Sequence, residues 1–286
     1  MHALRIFCLA GFLPSLLTGP PAQAQPAANP PLPEIHQLMR EVQEHQKQLD
    51  KVRENYTYSS LQTVQEMDAN GQVKKTETKE FEVFFVNSHV IERLVKKDGQ
   101  PLSGDEQQKE SERVTKLVEK AETIPSGQPL QGQAISVSRL LDLMDVHNPR
   151  RENYRGRPAI VFDFIGRKDA KTHGLAEDAS KKLQGTIWVD EADREVAHLE
   201  VSFIDNFNVD GGLLARIEKG SRASFDQELV NGEIWLPTGG EGSLHARVLL
   251  FKGVRQHATE RDYDFKQFHV EAQQLKDAKA VPEKAQ

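Results

Sequence analysis

The sequence predicts an α+β fold: one large antiparallel sheet that curls or closes, with helices between its meanders. Three observations predict it. Gly185 to Phe203 forms two alternating runs around a polar turn. Ile187 and Val189 share a face of the first run, and Ala197, Leu199, Val201 and Phe203 share a face of the second, with His198, Glu200 and Ser202 opposite. That period of two marks antiparallel strands with one buried face. Similar pairs recur along the chain, joined by turns too short for parallel crossovers. They add up to roughly ten strands, a number at which one sheet curls or closes.

The N-terminus reads as an export signal over residues 1–24. Arg5 supplies the charge, Ile6 to Leu17 the apolar core, and Ala22-Gln23-Ala24 a small-x-small cleavage site. The apolar run is too short to span a bilayer, and no other stretch is apolar enough, so no membrane span is expected after cleavage. The expected location is periplasmic or secreted. Cys8 lies inside the signal, which leaves the rest of the chain without a disulfide, a thiol nucleophile or a cysteine metal ligand. The net charge of -6 points away from a nucleic-acid partner.

Residues 25–33, rich in Pro and Ala, read as a spacer; residues 34–270 as a single half-barrel domain; residues 271–286 as a charged tail. Leu32 to Val52 has helical spacing, with Ile35, Leu38, Met39, Val42, Leu49 and Val52 mainly on one side. Tyr56 to Met67 alternates, Asp68-Ala69-Asn70-Gly71 is turn chemistry, and Val73 to Val86 returns. Asn87-Ser88 then turns into a third strand, His89 to Lys96. Ser103 to Ile124 reads as a surface helix with a narrow stripe of Val114, Leu117 and Val118. Pro125 to Gly132 reads as a loop, and Ile135 to Val146 as a further helix stopped by Asn148-Pro149. Strands resume at Arg151, and Arg167 to Lys182 is a long polar connection. After the Gly185 hairpin and an Asn206 to Gly212 turn come strands at Leu213 to Leu229, Glu233 to Pro237, Leu244 to Phe251 and Val254 to Val270.

Motifs that carry chemistry are missing. The ten histidines form no H-E-x-x-H. His198, His245, His257 and His269 fall on or near strands and read as scattered side chains. G-x-S-x-G does not occur. Gly239 to Ser243 lies between strand-like segments, whereas a phosphate cradle needs a following helix, so it reads as a hairpin loop. Asp190, Glu191, Asp193 and Asp210 lack the E-F hand spacing and read as turn residues. No catalytic residue, metal or cofactor is assigned.

What remains is a set of strand aromatics: Phe81, Phe85, Phe162, Phe164, Trp188, Phe203, Phe225 and Trp235. On a curled sheet, inward side chains either fill the interior or line a cavity for an apolar ligand. Phe162, Phe164, Trp188, Leu199, Val201 and Phe203 are the expected cavity wall.

Two segments carry a family resemblance: Gly185-Thr186-Ile187-Trp188-Val189-Asp190 with its return strand, and Arg261-Asp262-Tyr263-Asp264-Phe265-Lys266-Gln267-Phe268. With the export signal, the first helix and two meanders, the chain resembles the superfamily of lipoprotein carriers and outer-membrane lipoprotein-sorting proteins. The resemblance implies a large curved antiparallel sheet, an unclosed β-barrel with helices covering the concave face, which holds acyl chains or peptide segments without covalent chemistry. An acyl chain, a lipoprotein or another envelope protein is the implied partner. The chain departs from the carrier in its charged Ser103 to Ile124 segment and its greater length. Two other readings stand beside a carrier: an envelope scaffold with a solid core, and a hydrolase built from dispersed Asp, Glu and His. The hydrolase would need one cleft with two such groups in hydrogen-bond reach.

Overall fold

Pro31 and Pro33 delay the first helix, and Glu34 then starts it. The Glu34 carboxylate accepts from the backbone N–H of His36 (2.9 Å) and Gln37 (2.7 Å), so helix α1 spans Ile35–Arg53. The computed structural model describes residues 30–125, 130, 139, 142–249 and 252–267. The chain divides into two units, Met1–Pro31 and Leu32–Gln286; only Pro30 and Pro31 of the first are described. The export signal, most of the spacer, most of the Pro125 to Gly132 loop and the charged tail lie outside the described residues.

Strands β1 (Tyr56–Met67), β2 (Val73–Val86) and β3 (His89–Lys97) form the first meander, with the short β4 (Gln100–Pro101). The β1–β2 turn closes on Asp68, whose Oδ1 accepts from the backbone N–H of Asn70 (2.8 Å) and Gln72 (2.9 Å). Helix α2 (Gly104–Thr123) opens with a capping box between Ser103 and Glu106. Then follow β5 (Met144–Tyr154), β6 (Arg157–Gly166), helix α3 (Gly174–Ser180), β7 (Leu183–Asp190), β8 (Val196–Phe203), β9 (Phe207–Val209), β10 (Ala215–Ile217), β11 (Arg222–Val230), β12 (Ile234–Val248) and β13 (Lys252–Gln267).

All belong to one 13-stranded sheet in the order β4-β3-β2-β1-β13-β12-β11-β8-β7-β6-β5, with β10 beside β12 and β9 beside β10. Each pairing is antiparallel. The path ends at β4 and β5, which do not pair, so the sheet is unclosed. The last strand joins the first, β13 against β1.

Register tells the two faces apart. Phe162 sits opposite Ile187, Ile187 opposite Leu199, and Leu199 opposite Phe225. On that face α1 packs Leu38, Met39 and Val42 against Ile160, Phe162, Phe164, Ile187, Val189, Val196 and Leu199. The buried Glu195 anchors the helix: His45 Nδ1 lies 2.5 Å from its Oε1, and Gln46 donates to its Oε2. Helix α2 packs on the reverse face, with Leu117 and Ala121 against Ile91, Phe84 and Val86. The two long helices thus pack over different strands of the one sheet, α1 over β6, β7 and β8 and α2 over β2 and β3.

Four local expectations change. Met144 to Val146 is strand, because Met144 and Val146 pair with Gly166 and Phe164. Asn148 (φ 56) and Pro149 sit at a register shift of β5, an end strand of the sheet, where a proline is tolerated; of the expected Ile135 to Val146 helix, residues 135–138, 140 and 141 lie outside the described ones. Gly239 to Ser243 lies inside β12 rather than in a loop. A Cβ on Gly240 would lie 2.6 Å from the Ser224 carbonyl oxygen, so the glycine permits close approach of neighbouring backbone. Leu213 to Leu229 is two strands, divided at Gly220 (φ 87). The polar Arg167 to Lys182 connection contains α3.

Candidate functional site

The β7–β8 hairpin and β11 carry the α1 face past the helix. Phe162 (0% exposed), Phe164 (1%) and Leu199 (8%) lie under α1 in the core. Gly185 makes room there: a Cβ on it would lie 2.4 Å from the Phe164 ring. Val201 and Phe203 continue the same face, half-buried. Trp188 has the opposite parity and points to the reverse face. Of the six expected wall residues, three are core, two lie beyond it on the same face, and Trp188 lies away from them.

Beyond the core the side chains become small. One row of the sheet reads Gly185, Val201, Ala223, Gly242, Ala258, Val64 across β7, β8, β11, β12, β13 and β1. Phe203 and Leu244 stand on the same face. Together Val201, Phe203, Ala223, Gly242, Leu244 and Ala258 line a recess of about 310 Å³, near the lower end of small-molecule site volumes. The sequence pattern did not point to Ala223, Gly242, Leu244 and Ala258. They meet only through the strand order β8-β11-β12-β13.

On the same face a group of carboxylates stands beyond the recess. Glu260 and Asp262 follow Ala258 along β13 at the spacing that keeps side chains on one face. Gln62 and Ser60 of β1 stand opposite them. Burial pushes the Asp262 carboxyl up to about 6, with the Glu92 charge adding to it. Partial desolvation, then the charges of Asp262 and Glu92, raise the pKa of Glu260, whose side chain still reaches solvent and accepts from Gln62 (3.1 Å). Burial also raises Glu92.

The reverse face is polar. Its largest cleft, about 870 Å³, is lined by Asp163, Gln184, Thr186, Glu200, Ser202, Arg222, Ser224, Glu241 and Ser243, among others. Beside it His198 packs between Tyr154 (ring centroids 5.2 Å apart) and Trp188 (4.9 Å). Its Nδ1 lies 2.9 Å from Asp226 Oδ1, and its Nε2 3.3 Å from Glu200. Tyr154 donates to Asp226 (2.7 Å), and so does Arg155 (3.2 Å). Burial alone would lower the His198 pKa, but the two carboxylates outweigh it and raise it. The groups bonded to this pair include no serine, threonine or cysteine nucleophile. His257 Nδ1 stands 3.4 Å from Ser243 Oγ, while its Nε2 is 3.9 Å from an exposed Glu241. That is a long and open arrangement for nucleophile activation.

The turn acids have partners of their own. Asp190 and Asp193 both accept from Arg157, whose guanidinium lies 5.4 Å from the Trp235 ring centroid. Glu191 accepts from Arg151. Burial pushes Asp190 up, but Arg157 and the backbone N–H groups of Asp193 and Ala192 hold it below the usual range.

No family model matches the chain, and no curated protein matches it. Several solved structures are similar to the chain at low identity. A LolA superfamily protein from Nitrosomonas europaea matches at 12% identity over 80% of this chain and 93% of that one, with a TM-score of 0.32. A DUF1329 family protein from Desulfovibrio piger matches at 12% identity over 80% and 92%, with a TM-score of 0.33. The Pseudomonas aeruginosa MucA/MucB complex matches at 10% identity over 79% and 99%, with a TM-score of 0.25. Likeness at this level assigns neither ligand nor activity. No helix among the described residues is long and apolar enough to cross a membrane.

Proposed function

We propose that this chain is an exported, non-enzymatic binding protein of the cell envelope that holds an acyl chain against the α1 face of its sheet. The observation that carries this reading is the recess formed by Val201, Phe203, Ala223, Gly242, Leu244 and Ala258. Its floor is a row of small residues on strands fixed by regular pairing, and Phe203 and Leu244 offer apolar walls. An acyl chain laid there gains roughly 25 cal/mol per Å² of apolar surface removed from water. The filled half of the same face, under α1, gives the recess a rigid border. The lipid-bearing end of an exported lipoprotein is one ligand of this chemistry, which suits a role in outer-membrane lipoprotein sorting. The N-terminal export signal read from the sequence agrees with a periplasmic site of action.

Phe203→Asp places a charge on the recess wall without touching the α1 core. Uptake of a fluorescent fatty acid is expected to weaken about tenfold or more, with the melting temperature nearly unchanged. Equal uptake by the variant and the parent would overturn the proposal. So would an absence of uptake by the parent.

A further inference from the structure

Single exposed leucines are ordinary, but a cluster of them marks a contact surface. Leu249 (59% exposed), Leu213 (57%), Leu214 (52%) and Val73 (52%) are the most exposed large apolar side chains among the described residues. All four stand at one end of the sheet. Leu213 and Leu214 precede β10, Leu249 follows β12, and the Leu249 N–H donates to the Leu214 carbonyl (3.0 Å). Val73 follows the β1–β2 turn, and Arg255 near the start of β13 donates to the Ala69 carbonyl of that turn. Leu249 also takes a left-handed backbone (φ 49), a conformation that Asn and Gly adopt more readily.

Two further features separate this end from a chance patch. The first is an apolar strip. From the recess, Leu244, Ala246 and Val248 continue along one face of β12 toward Leu249. Ile217 and Val254 stand opposite Ala246, and Phe207 opposite Ile217. Ala215 stands opposite Val248, and Val209 opposite Ala215. Each is only half-buried, so the strip joins the leucine end to the recess. The second is charge. The chain carries -6 overall, yet Lys74, Arg216, Lys252 and Arg255 at this end form no ion pair among the described residues. Of the acids here, Glu218 pairs with Arg247 (3.2 Å), Glu77 pairs with Lys75 (3.4 Å), and Asp68 accepts from its own turn. Only Glu66 and Asp210 are left against those four cations, and both are exposed.

We infer that this end of the sheet docks on a lipid bilayer with anionic head groups. Leu213, Leu214, Leu249 and Val73 enter the interface, and the cations meet the head groups. The apolar tips come from three separate turns, ringed by long basic side chains. Such side chains lay their stems in an apolar layer and keep their charge at its polar surface. That layering is the chemistry of a bilayer surface, whereas the core of a protein interface is depleted of lysine. The inference does not depend on the acyl-chain reading, since docking needs no ligand in the recess. Taken with that reading, the strip is the route of an acyl chain between bilayer and recess.

The test is flotation of the protein, as recovered after export, with vesicles of phosphatidylcholine and with vesicles of equal parts phosphatidylcholine and phosphatidylglycerol. The parent is expected to bind the mixed vesicles about tenfold more tightly than the plain ones at low salt, and the difference is expected to shrink at high salt. A Leu213→Ser, Leu214→Ser, Leu249→Ser variant is expected to lose about tenfold or more on both, with its melting temperature nearly unchanged because these side chains are exposed. A Lys74→Gln, Lys252→Gln variant is expected to lose about tenfold on the mixed vesicles alone. No binding by the parent, equal binding to both vesicles, or a triple variant that binds as the parent does overturns the inference. So does a parent that binds no vesicle but self-associates through these leucines, which would assign the end to a second copy of the chain.

Discussion

Phe162→Ala is expected to destabilise the protein by about 3–5 kcal/mol, the range for a large aromatic removed from a packed core. Phe162 is 0% exposed and stands opposite Ile187 in the row that continues to Leu199. Above it lie Leu38, Met39 and Val42, the residues by which α1 is held to the sheet. Truncation removes contacts on both layers at once, and neither backbone can collapse into the space without losing strand pairing. For a chain of this size the melting temperature should fall by roughly 8–15 °C. Thermal unfolding followed by circular dichroism measures it. Leu213→Ala is the control, since Leu213 is 57% exposed and its loss should stay within about 0.5 kcal/mol. A loss below about 1 kcal/mol for Phe162→Ala would mean that α1 does not complete a core with β6, β7 and β8.

Asp262→Asn is expected to stabilise the protein, and only above acidic pH. The Asp262 carboxyl is buried beside Ser60, and burial raises its pKa from 3.8 to about 6, outweighing the lowering by the Ser60 hydroxyl. A raised pKa means the folded state favours the protonated acid. The associated stability is present in full below about pH 4 and is lost as pH rises through about 6. Near neutrality the folded chain therefore carries a cost of about 3 kcal/mol, from about two units at 1.36 kcal/mol each. Asparagine keeps the shape and removes the charge. Urea unfolding at about pH 8 should show the variant more stable by about 2–3 kcal/mol, with little difference near pH 4. A variant that is less stable at both pH values would show that Asp262 makes a structural contact instead.

Alternation made the strands legible in the sequence, because a half-buried strand leaves a period-two record. The Gly185 to Phe203 hairpin, the β1–β2 turn at Asp68 and the apolar stripe of α2 were all readable in this way. Met144 to Val146 was not: Val137, Leu140, Leu141 and Met144 fit helical spacing, and only pairing with Phe164 and Gly166 makes the end of that run a strand. The glycines of β12 mimic a loop because their reason lies in the neighbouring backbone at Ser224.

The site was legible only in part. Trp188 stands between Ile187 and Val189, so parity alone assigns it to the reverse face, where it meets Tyr154 and His198. Val201 and Phe203 could be read as wall residues from their own strand. Ala223, Gly242 and Ala258 could not, since small residues leave no apolar signal. They form a floor only because β11, β12 and β13 lie side by side in register with β8. The acids are hidden for the same reason. In sequence Glu260 and Asp262 look like ordinary surface charges, and Glu92 is far away along the chain. Burial and strand pairing bring Ser60 against Asp262, and neither can be seen from composition.

The central claim is that an acyl chain lies on the α1 face between β8 and β13. A fatty acid carrying a photoactivatable diazirine on its chain tests it most directly. After irradiation, digestion and mass spectrometry, the label is expected on the β8, β12 and β13 segments that contain Val201, Phe203, Leu244 and Ala258. Label concentrated instead on the reverse face, around Glu200, Arg222 and Glu241, or on α2, would contradict the account.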